Sequence, residues 1–331
     1  TTPLKQLKYN FNMKFLKNKS LLITGGTGSF GHAALEALTS KCKLKKIIIF
    51  SRDENKQFEM QKRFKTPQTR FFIGDIRDKE RVNIAFNNVD YIIHAAALKH
   101  VPAAEYNPME FIKTNIHGTE NVINAAIEQK VKKVLLLSTD KACSPVNLYG
   151  ATKLCAEKLI TNANNMYGSS NNKTLFGAVR YGNVINSRGS VIPIYKELFK
   201  KNIKEFPLTS KEMTRFFISL DEATKIVFES FKFLTGGEIF IPKLPTISIF
   251  DIIKSFDAKI RAKIIGVRPG EKINETLCSK DESPSLNDCG KFYILYPTYI
   301  DIKKRKGKKV PNNFIYNSGT NKKIIGIKKI K

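Results

Sequence analysis

The sequence has no long hydrophobic run, although 42% of its 331 residues are hydrophobic. None of its apolar stretches approaches the roughly 18 residues that a membrane-spanning helix needs. Residues 1–19 contain five lysines but no continuous apolar segment like that of a secretory signal. We therefore expect a protein that makes no contact with a membrane and stays in the cytoplasm.

Cysteine and histidine are also scarce. The five cysteines are scattered and form no C-x-x-C pair, which is typical of proteins from a reducing compartment. The four histidines (His32, His94, His100 and His117) do not have the spacing of metal ligands. We expect no metal site.

Acidic residues are few beside basic ones, because 29 Asp and Glu stand against 57 Lys and Arg, a formal net charge of +28. Residues 301–331 alone carry eleven basic residues and one acidic residue. A nucleic-acid interface would need stacking aromatics or a recognition helix, whereas this segment combines lysine with isoleucine and asparagine. We predict a solvated basic surface that attracts a doubly charged nucleotide-type substrate, and no nucleic acid.

What the sequence does contain is an alternation of short apolar runs with helix-length segments. Helices are predicted at about residues 29–40, 108–129 and 147–167. Near-continuous apolar strands alternating with helices indicate an α/β fold with a doubly wound parallel sheet covered on both faces. The predicted strands are residues 20–24, 46–51, 70–74, 90–94, 134–138 and 176–181.

The pattern also suggests a division of the chain. We expect the doubly wound sheet to occupy residues 14–181, with later sheet strands contributed from residues 182–245. Prolines interrupt the pattern from residue 182 onward, so residues 182–300 are predicted to form mainly a smaller substrate-binding lobe. Residues 1–13 and 301–331 are predicted to be basic extensions.

A glycine-rich turn, Gly-x-x-Gly-x-x-Gly, follows the first predicted strand. Such spacing allows a tight turn and a close approach of backbone to a pyrophosphate, and the following helix supplies N–H groups. The spacing alone is weak evidence, but its position between a strand and a helix indicates a dinucleotide-binding turn. The residues of the turn expected to contact the dinucleotide are Gly25, Thr27, Gly28, Ser29, Phe30 and Gly31.

The residues after the second predicted strand bear on the choice of cofactor. Ser51 and Arg52 come first, and a hydroxyl beside an arginine suits the 2′-phosphate of NADP, whereas a carboxylate alone would suit the ribose of NAD. We therefore expect NADP. In the alternative, Ser51 is only a helix N-cap and Arg52 is solvated. The further residues expected to contact the cofactor are Asp53, Lys56, Asp75, Ile76, Ala95, Ala96, Ala97, Lys99 and Asn115.

Residues 138–153 contain most of the reactive groups. Tyr149 and Lys153 are four residues apart, one helical turn, so both side chains can reach one site. Asp140 and Lys141, an acid beside an amine, follow the fifth apolar run. These groups can oxidise an alcohol and remove a proton next to the resulting carbonyl. In the alternative, the first pair is a buried tyrosine with an unrelated lysine and the second is a surface ion pair.

These motifs together resemble the extended short-chain dehydrogenase/reductase superfamily, which has a Rossmann fold. Within it, the sequence is similar to the inverting UDP-N-acetylglucosamine 4,6-dehydratases of pseudaminic acid synthesis. Relatives that retain the C5 configuration usually have methionine where Tyr149 stands and carry transmembrane helices, so the inverting branch is favoured. The resemblance spans about residues 14–300 and rests on segments 95–102, 138–141, 180–184, 187–191, 213–216 and 268–272.

The resemblance implies one catalytic cycle. Tyr149, as a phenolate stabilised by Lys153, takes the proton of the sugar 4-hydroxyl while C4 gives hydride to NADP⁺. Lys141 then removes the C5 proton, Asp140 protonates the departing 6-hydroxyl, and Thr139 or Ser138 hydrogen-bonds the 4-oxygen. Hydride returns to C6 and C5 is reprotonated on the opposite face, giving an L-arabino 4-keto sugar. This requires a neutral Lys141, and we expect burial beside other cations to lower its pKa.

The resemblance also implies substrate contacts and an oligomer. Three arginines are expected to clamp the diphosphate, and a homo-oligomer, by family analogy a hexamer, is expected. A retaining 4,6-dehydratase, a UDP-sugar 4-epimerase and a polyanion-binding protein with a retained fold remain as alternatives. The residues expected to bind UDP-N-acetylglucosamine are Lys99, Lys141, Asn183, Arg188, Gly189, Ser190, Val191, Thr214, Arg215, Arg268 and Glu271.

Overall fold

A ten-stranded sheet forms the centre of the protein in a computed structural model, which describes residues 13–64, 66–166, 174–185, 187 and 190–325. The first seven strands in spatial order are parallel, and the last three are antiparallel. In that order they are β3 (Thr69–Ile73), β2 (Lys46–Ser51), β1 (Ser20–Thr24), β4 (Tyr91–His94), β5 (Lys133–Thr139), β6 (Leu175–Tyr181), β10 (Ile239–Pro242), β15 (Phe292–Leu295), β14 (Leu286–Asp288) and β16 (Lys308–Lys309).

The strand order reverses between β1 and β4. The chain passes from β1 outward to β2 and β3, and then returns to the other side of β1 to form β4, β5 and β6. In a doubly wound sheet a ligand crevice opens at this switch point, outside the carboxyl ends of the strands. The predicted α/β class and doubly wound sheet are confirmed.

Helices cover the sheet on both faces, as right-handed crossovers in opposite directions require. A π-helical segment, Ile112–His117, interrupts the helix predicted at residues 108–129. The α-helices are α1 (Ser29–Lys41), α2 (Glu54–Arg63), α3 (Lys79–Ala85), α4 (Val101–Tyr106), α5 (Pro108–Phe111), α6 (Gly118–Glu128), α7 (Leu148–Met166), α8 (Val191–Lys200), α9 (Leu220–Phe233) and α10 (Ile249–Phe256). None of these described helices is both long and apolar enough to cross a bilayer.

Local sequence explains the central elements. All five residues of β1 are buried, as expected for a strand covered on both faces. Asp53 caps α2 and Asp78 caps α3 by accepting hydrogen bonds from backbone N–H groups of the first turn. The predicted strand at 70–74 begins and ends one residue earlier, at Thr69 and Ile73.

A smaller lobe lies at the carboxyl edge of the sheet and has its own core. Within it, β8 (Glu205–Leu208) pairs in parallel with β12 (Arg261–Ile264). A three-stranded sheet joins β7 (Asn183–Val184), β9 (Thr214–Ile218) and β11 (Thr246–Ser248). The buried residues of this second core include Tyr195, Phe206, Leu208, Phe217, Ile252 and Ile253.

The segment predicted to be a basic extension at residues 301–331 contains folded elements. β16 pairs with β14, and β17 (Tyr316–Asn317) pairs with β13 (Thr276–Cys278). Val310 and Tyr316 are buried among the core residues. The expectation was therefore wrong for residues 308–325, because a few apolar side chains anchor a segment that is otherwise rich in lysine. β14 and β15, from the predicted substrate lobe, likewise belong to the main sheet.

Candidate active site

A cavity of about 980 Å³ lies between the carboxyl edge of the main sheet and the smaller lobe. Its walls come from the glycine-rich turn, the loop after β4, the end of β5, the start of α7 and several lobe segments. It therefore occupies the switch point at which the strand order reverses. The predicted site residues that line it are Gly25, Gly28, Ser29, Phe30, Ala95, Ala96, Ala97, Lys99, Thr139, Lys141, Tyr149, Lys153, Asn183, Ser190, Val191, Arg215, Arg268 and Glu271.

The glycine-rich turn is packed so closely that side chains do not fit. Gly25 has φ +62°, and a Cβ there would lie 2.7 Å from the Cα of Ala96. A Cβ on Gly31 would lie 1.9 Å from the carbonyl oxygen of Gly26. Gly28, the N-cap of α1, makes no side-chain cap, so the first N–H groups of the helix face the cavity end of the turn. This cradle fits a dinucleotide pyrophosphate.

Ser51 ends β2, and Arg52 and Asp53 follow it. Their contacts bear on whether Ser51 is a helix N-cap. The hydroxyl of Ser51 shares a buried 2.8 Å hydrogen bond with that of Thr27. Asp53, and not Ser51, is the N-cap of α2, and it also pairs with Lys56. Arg52 is 54% exposed and its Nη1 lies 3.6 Å from Asp75 Oδ2. The N-cap interpretation of Ser51 is therefore wrong.

Three further predicted cofactor residues do not line the cavity. Asp75 accepts two hydrogen bonds from the guanidinium of Arg77. Ile76 is buried against Gly118, where a Cβ would lie 2.6 Å from its Cδ1. Asn115 bonds the backbone N–H and carbonyl of Leu98, and it also donates to the hydroxyl of Thr152 on α7. Asn115 thus joins the loop after β4 to the helix that carries Tyr149.

Tyr149 and Lys153 meet in the cavity as their helical spacing predicts. Tyr149 lies in the first turn of α7, and burial raises its pKa to about 12, although Lys141 and a hydrogen bond with Thr139 act in the opposite direction. Lys153 donates to the carbonyl oxygen of Leu137 at 2.8 Å. Burial lowers the pKa of Lys153 to about 8, despite the opposing charge of Glu157.

Asp140 and Lys141 follow β5 in a short 3₁₀ turn. Oδ1 of the fully buried Asp140 accepts from the Thr139 hydroxyl at 2.9 Å and from Lys141 Nζ at 3.0 Å. Its Oδ2 has no hydrogen-bond partner within the described residues. Burial raises the pKa of Asp140, and Glu275 adds to this while Lys141 opposes it.

The expectation of a lowered pKa for Lys141 is wrong. Burial does lower the pKa, but Asp140 and Glu275 raise it more than Arg215 and burial depress it. Lys141 Nζ lies 3.3 Å from Glu275 Oε1 as well as 3.0 Å from Asp140 Oδ1. Two carboxylates therefore hold this amine as an ammonium ion. By contrast, burial and the nearby Lys141 lower the pKa of Lys99.

Glu275 is a site residue that the sequence did not reveal. It is 2% exposed, lines the cavity, and comes from the segment immediately before β13. In the sequence it is one acid in the short run Ile273-Asn274-Glu275-Thr276-Leu277, far from residues 138–153. No spacing rule links it to Lys141, so only the folded chain brings the two together.

The predicted substrate residues have mixed surroundings. The side chain of Arg215 is 7% exposed and donates to the carbonyl oxygens of Thr214, Lys272 and Ile273, so its use as a free diphosphate clamp is not supported. Arg268 is 66% exposed and pairs with Glu271. Arg188 and Gly189 lie outside the described residues.

Two hydroxyls among the predicted substrate residues behave oppositely. Thr214 does not line the cavity, and its hydroxyl bonds Asn274 and Ser318. The hydroxyl of Ser190 is buried at the cavity wall, with no hydrogen-bond partner in the described part of the chain. No group of three or more His, Cys, Asp or Glu side chains suited to a metal occurs among the residues described.

Comparison with known proteins extends these observations. A family described as polysaccharide biosynthesis protein matches residues 21–297. The chain is 51% identical over 313 residues to the UDP-N-acetylglucosamine 4,6-dehydratase (inverting) of Campylobacter jejuni serotype O:2, covering 92% of this chain and 93% of that protein. It is 44% identical over 283 residues to the UDP-glucose 4-epimerase of Rickettsia bellii, covering 83% and 82%.

Solved structures give the same picture. Pen from Bacillus thuringiensis superposes with a TM-score of 0.86 at 41% identity, covering 96% of this chain and 98% of that one. DesIV, a dTDP-glucose 4,6-dehydratase from Streptomyces venezuelae solved with NAD, has a TM-score of 0.68 at 20% identity, covering 77% and 86%, and so supports the fold alone. The chain therefore belongs to the polysaccharide biosynthesis family of extended short-chain dehydrogenase/reductases, the family of the inverting UDP-N-acetylglucosamine 4,6-dehydratases.

Proposed function

We propose that the protein is an NADP-dependent UDP-N-acetylglucosamine 4,6-dehydratase that inverts C5. The observation that carries this proposal is that Tyr149 and Lys141 line one cavity beside the glycine cradle, while the fully buried Asp140 accepts a hydrogen bond from Lys141 next to its wall. A simple 4-epimerase needs the tyrosine but has no use for an acid and an amine next to it. The 51% identity to the Campylobacter jejuni enzyme supports the same reaction and substrate.

Tyr149 is the group proposed to accept the proton of the sugar 4-hydroxyl at its phenolate oxygen. Burial raises the pKa of Tyr149 to about 12 even though Lys141 and the Thr139 hydroxyl lower it. Holding the phenolate near neutral pH therefore takes about 7 kcal/mol of further preferential stabilisation, and the positive charge of an oxidised nicotinamide would contribute to it. A nicotinamide held at this cavity by the glycine-rich turn and the segment after β4 would supply a hydride acceptor for C4 and a hydride donor for C6, with no net consumption.

Asp140 and Lys141 are proposed to carry out the elimination of water. Their 3.0 Å hydrogen bond offers a direct route for one proton from Lys141 Nζ to Asp140 Oδ1. That transfer creates a neutral amine, able to take the C5 proton, and a carboxylic acid, able to protonate the departing 6-hydroxyl. The C5–H and C6–O bonds break, a C5=C6 bond forms, and water leaves. Burial of Asp140, which raises its pKa, favours the acid form.

The experiment that tests the function is incubation of the protein with UDP-N-acetylglucosamine and NADP⁺ in D₂O, followed by NMR and mass analysis of the product. We expect loss of water, deuterium at C5 and an inverted C5. A retained C5 configuration would identify the retaining dehydratase. Unchanged mass with inversion at C4 would identify a 4-epimerase, the activity named for the Rickettsia bellii relative. Lys141→Ala is expected to bind nucleotide but form no dehydrated product.

The choice of NADP over NAD rests on Arg52. The carboxylate of Asp53 is engaged as the cap of α2 and in the pair with Lys56, so it is occupied where a ribose 2′-hydroxyl would need it. The guanidinium of Arg52 is more than half exposed after the end of β2, where a 2′-phosphate binds in such folds. This arrangement supports NADP.

Binding measurements on Arg52→Ala test this choice. We expect NADP⁺ affinity to fall about 10- to 100-fold, since a charge-assisted contact is lost, while NAD⁺ affinity changes by less than about twofold. Arg70→Ala, an exposed arginine on β3, is the control and should bind both as the wild type does. Equal losses for both dinucleotides, or tighter NAD⁺ binding by the wild type, would contradict the assignment.

A further inference from the structure

Glu275 brings a second carboxylate to Lys141 from a distant part of the chain. Its Oε1 lies 3.3 Å from Lys141 Nζ and 3.6 Å from Arg215 Nε. Its Oε2 is buried and has no hydrogen-bond partner among the described residues. Burying a carboxylate oxygen without a hydrogen-bond partner costs free energy of folding. The presence of such an oxygen at a cavity wall therefore needs an explanation other than packing.

The backbone of Glu275 is held on both sides. Its N–H donates to the Ser318 hydroxyl at 2.9 Å, and its carbonyl accepts from the Ser318 N–H at 2.8 Å. The same hydroxyl of Ser318 bonds that of Thr214, at the start of β9. Three segments of the chain thus fix Glu275, and its carboxylate has little freedom to leave Lys141.

The charges around Lys141 are nearly balanced. Asp140 and Glu275 contact it from distant parts of the chain, and Arg215 Nε lies 3.6 Å from the same Glu275 Oε1 that Lys141 contacts. Removing one carboxylate would leave a surplus of positive charge at the point where a proton must move. The ionisable groups that act on Lys141 or Glu275 are Asp140, Arg215, Lys272, Lys99 and Tyr149.

We propose that Glu275 is a positioning residue that holds Lys141 Nζ against Asp140 and, by its own negative charge, keeps the shared proton on that pair. The inference rests on the proposed function, in which Lys141 and Asp140 act as base and acid. Glu275 itself exchanges no proton with the sugar. It sets the place of the amine and the pH range in which the pair holds one proton.

The pKa values of Asp140 and Glu275 shift in opposite directions, which agrees with the different roles proposed for the two residues. Burial and Glu275 raise the pKa of Asp140, while Lys141, Arg215 and Lys272 outweigh burial and lower the pKa of Glu275. Of the two neighbouring acids, Asp140 is therefore the one that more readily takes a proton from Lys141, and Glu275 is the one that stays ionised.

The pH profile of kcat for Glu275→Gln and Glu275→Asp tests the inference. Glu275→Gln keeps the size but removes the charge, so both proton affinities of the Asp140–Lys141 pair fall. We expect the optimum of kcat to move to lower pH by about one unit or more, with kcat reduced about 100-fold and KM within about threefold. Glu275→Asp keeps the charge but shortens the reach, so kcat should fall without a shift of the optimum.

Glu229→Gln is the matched control. This glutamate on α9 also pairs with one lysine, Lys291, and also has a buried oxygen without a hydrogen-bond partner in the described chain, but it does not line the cavity. Its kcat and pH optimum should equal those of the wild type. Nucleotide binding and thermal unfolding verify that each variant is folded, and Glu275→Asp provides the decisive comparison if the glutamine variant does not fold.

The two proposals fail in different ways. If the wild type forms no dehydrated product, the proposed function falls. If the wild type is active and Glu275→Gln keeps its kcat and optimum, only the role of Glu275 falls. A lower kcat with an unmoved optimum in Glu275→Gln would also overturn the inference, because it would indicate a purely structural residue. For Glu275→Asp, which keeps the charge, the overturning results are a shifted optimum or an unchanged kcat.

Discussion

Lys153 shows how burial sets the charge of a single residue. The residue is 3% exposed, and its Nζ donates a hydrogen bond to one carbonyl oxygen, that of Leu137. Burial lowers its pKa from 10.5 to about 8. Between these values the unfolded chain holds the proton more tightly than the folded one, so stability rises with pH across this window.

The pH dependence of stability should therefore depend on Lys153. The comparison is between wild type and Lys153→Met, both freed of nucleotide, at about pH 7.5 and about pH 9.5. The unfolding free energy of the wild type, relative to that of the variant, should increase by about 2 kcal/mol from the lower to the higher pH. Urea unfolding at the two pH values measures it. Lys158→Met, an exposed lysine of the same helix, should show no such change. Parallel curves for wild type and Lys153→Met would contradict the assigned pKa.

The catalytic residues that sequence analysis could identify are those that lie close together along the chain. Tyr149 and Lys153 share a helix face, and Asp140 and Lys141 are neighbours, so local geometry alone brings each pair together. Such local rules could not identify Glu275, because it lies far from residues 138–153 in the sequence. The sign of the pKa shift of Lys141 was mispredicted because the adjacent Asp140 and the distant Glu275 together raise this pKa more than burial and Arg215 lower it.

At the scale of elements, the turn from β1 to α1 makes its own close contact with the end of β4. Gly25 combines a positive φ of +62° with a Cβ position 2.7 Å from the Cα of Ala96 and 2.8 Å from its N. A side chain there would therefore meet two separate penalties. One is the strain of the left-handed conformation, and the other is a clash with backbone that cannot move aside without separating the two strands.

The pair Gly25→Ala and Gly266→Ala separates these penalties. Gly266 also has a positive φ, +79°, but a Cβ there meets nothing within 4 Å. We expect Gly266→Ala to cost about 1–2 kcal/mol of unfolding free energy and to leave nucleotide binding unchanged. Gly25→Ala should cost more and abolish NADP⁺ binding, measured by urea unfolding and titration. Equal costs with intact binding would show that close packing at the turn is unimportant.

The strands differ in how well the sequence pattern predicts them. The parallel strands were predictable because each is a near-continuous apolar run, and their carboxyl ends had to meet at one edge. β17 is only Tyr316 and Asn317, too short for any periodicity, and it lies within a lysine-rich segment. Tyr316 nevertheless packs against Phe216 and Tyr293 and bonds the backbone of Leu244. Tertiary contacts stabilise this strand, and the lysine-rich composition of the segment gave no indication of it.

At the scale of the whole molecule, Arg180 joins the main sheet to the segment that follows β13. Its guanidinium is completely buried and donates twice to Glu157 on α7, twice to Glu282 and once to the carbonyl oxygen of Leu277. Arg180 lowers the pKa of Glu282 against the opposing effect of burial. One cation therefore neutralises two carboxylates that come from different parts of the chain.

Arg180→Met should destabilise the whole protein, since it leaves two buried carboxylates without their cation. We expect a loss of about 3–5 kcal/mol of unfolding free energy near neutral pH, measured by urea unfolding. The loss should shrink as pH falls toward about 5, because the unpaired buried acids then take up protons, whereas Arg180 lowers the pKa of Glu282 in the wild type and keeps this carboxylate ionised over the same range. Arg63→Met removes a surface pair with Glu36 and should cost less than about 1 kcal/mol at either pH. A loss for Arg180→Met that does not depend on pH would mean that the guanidinium acts by filling space and not by neutralising Glu157 and Glu282.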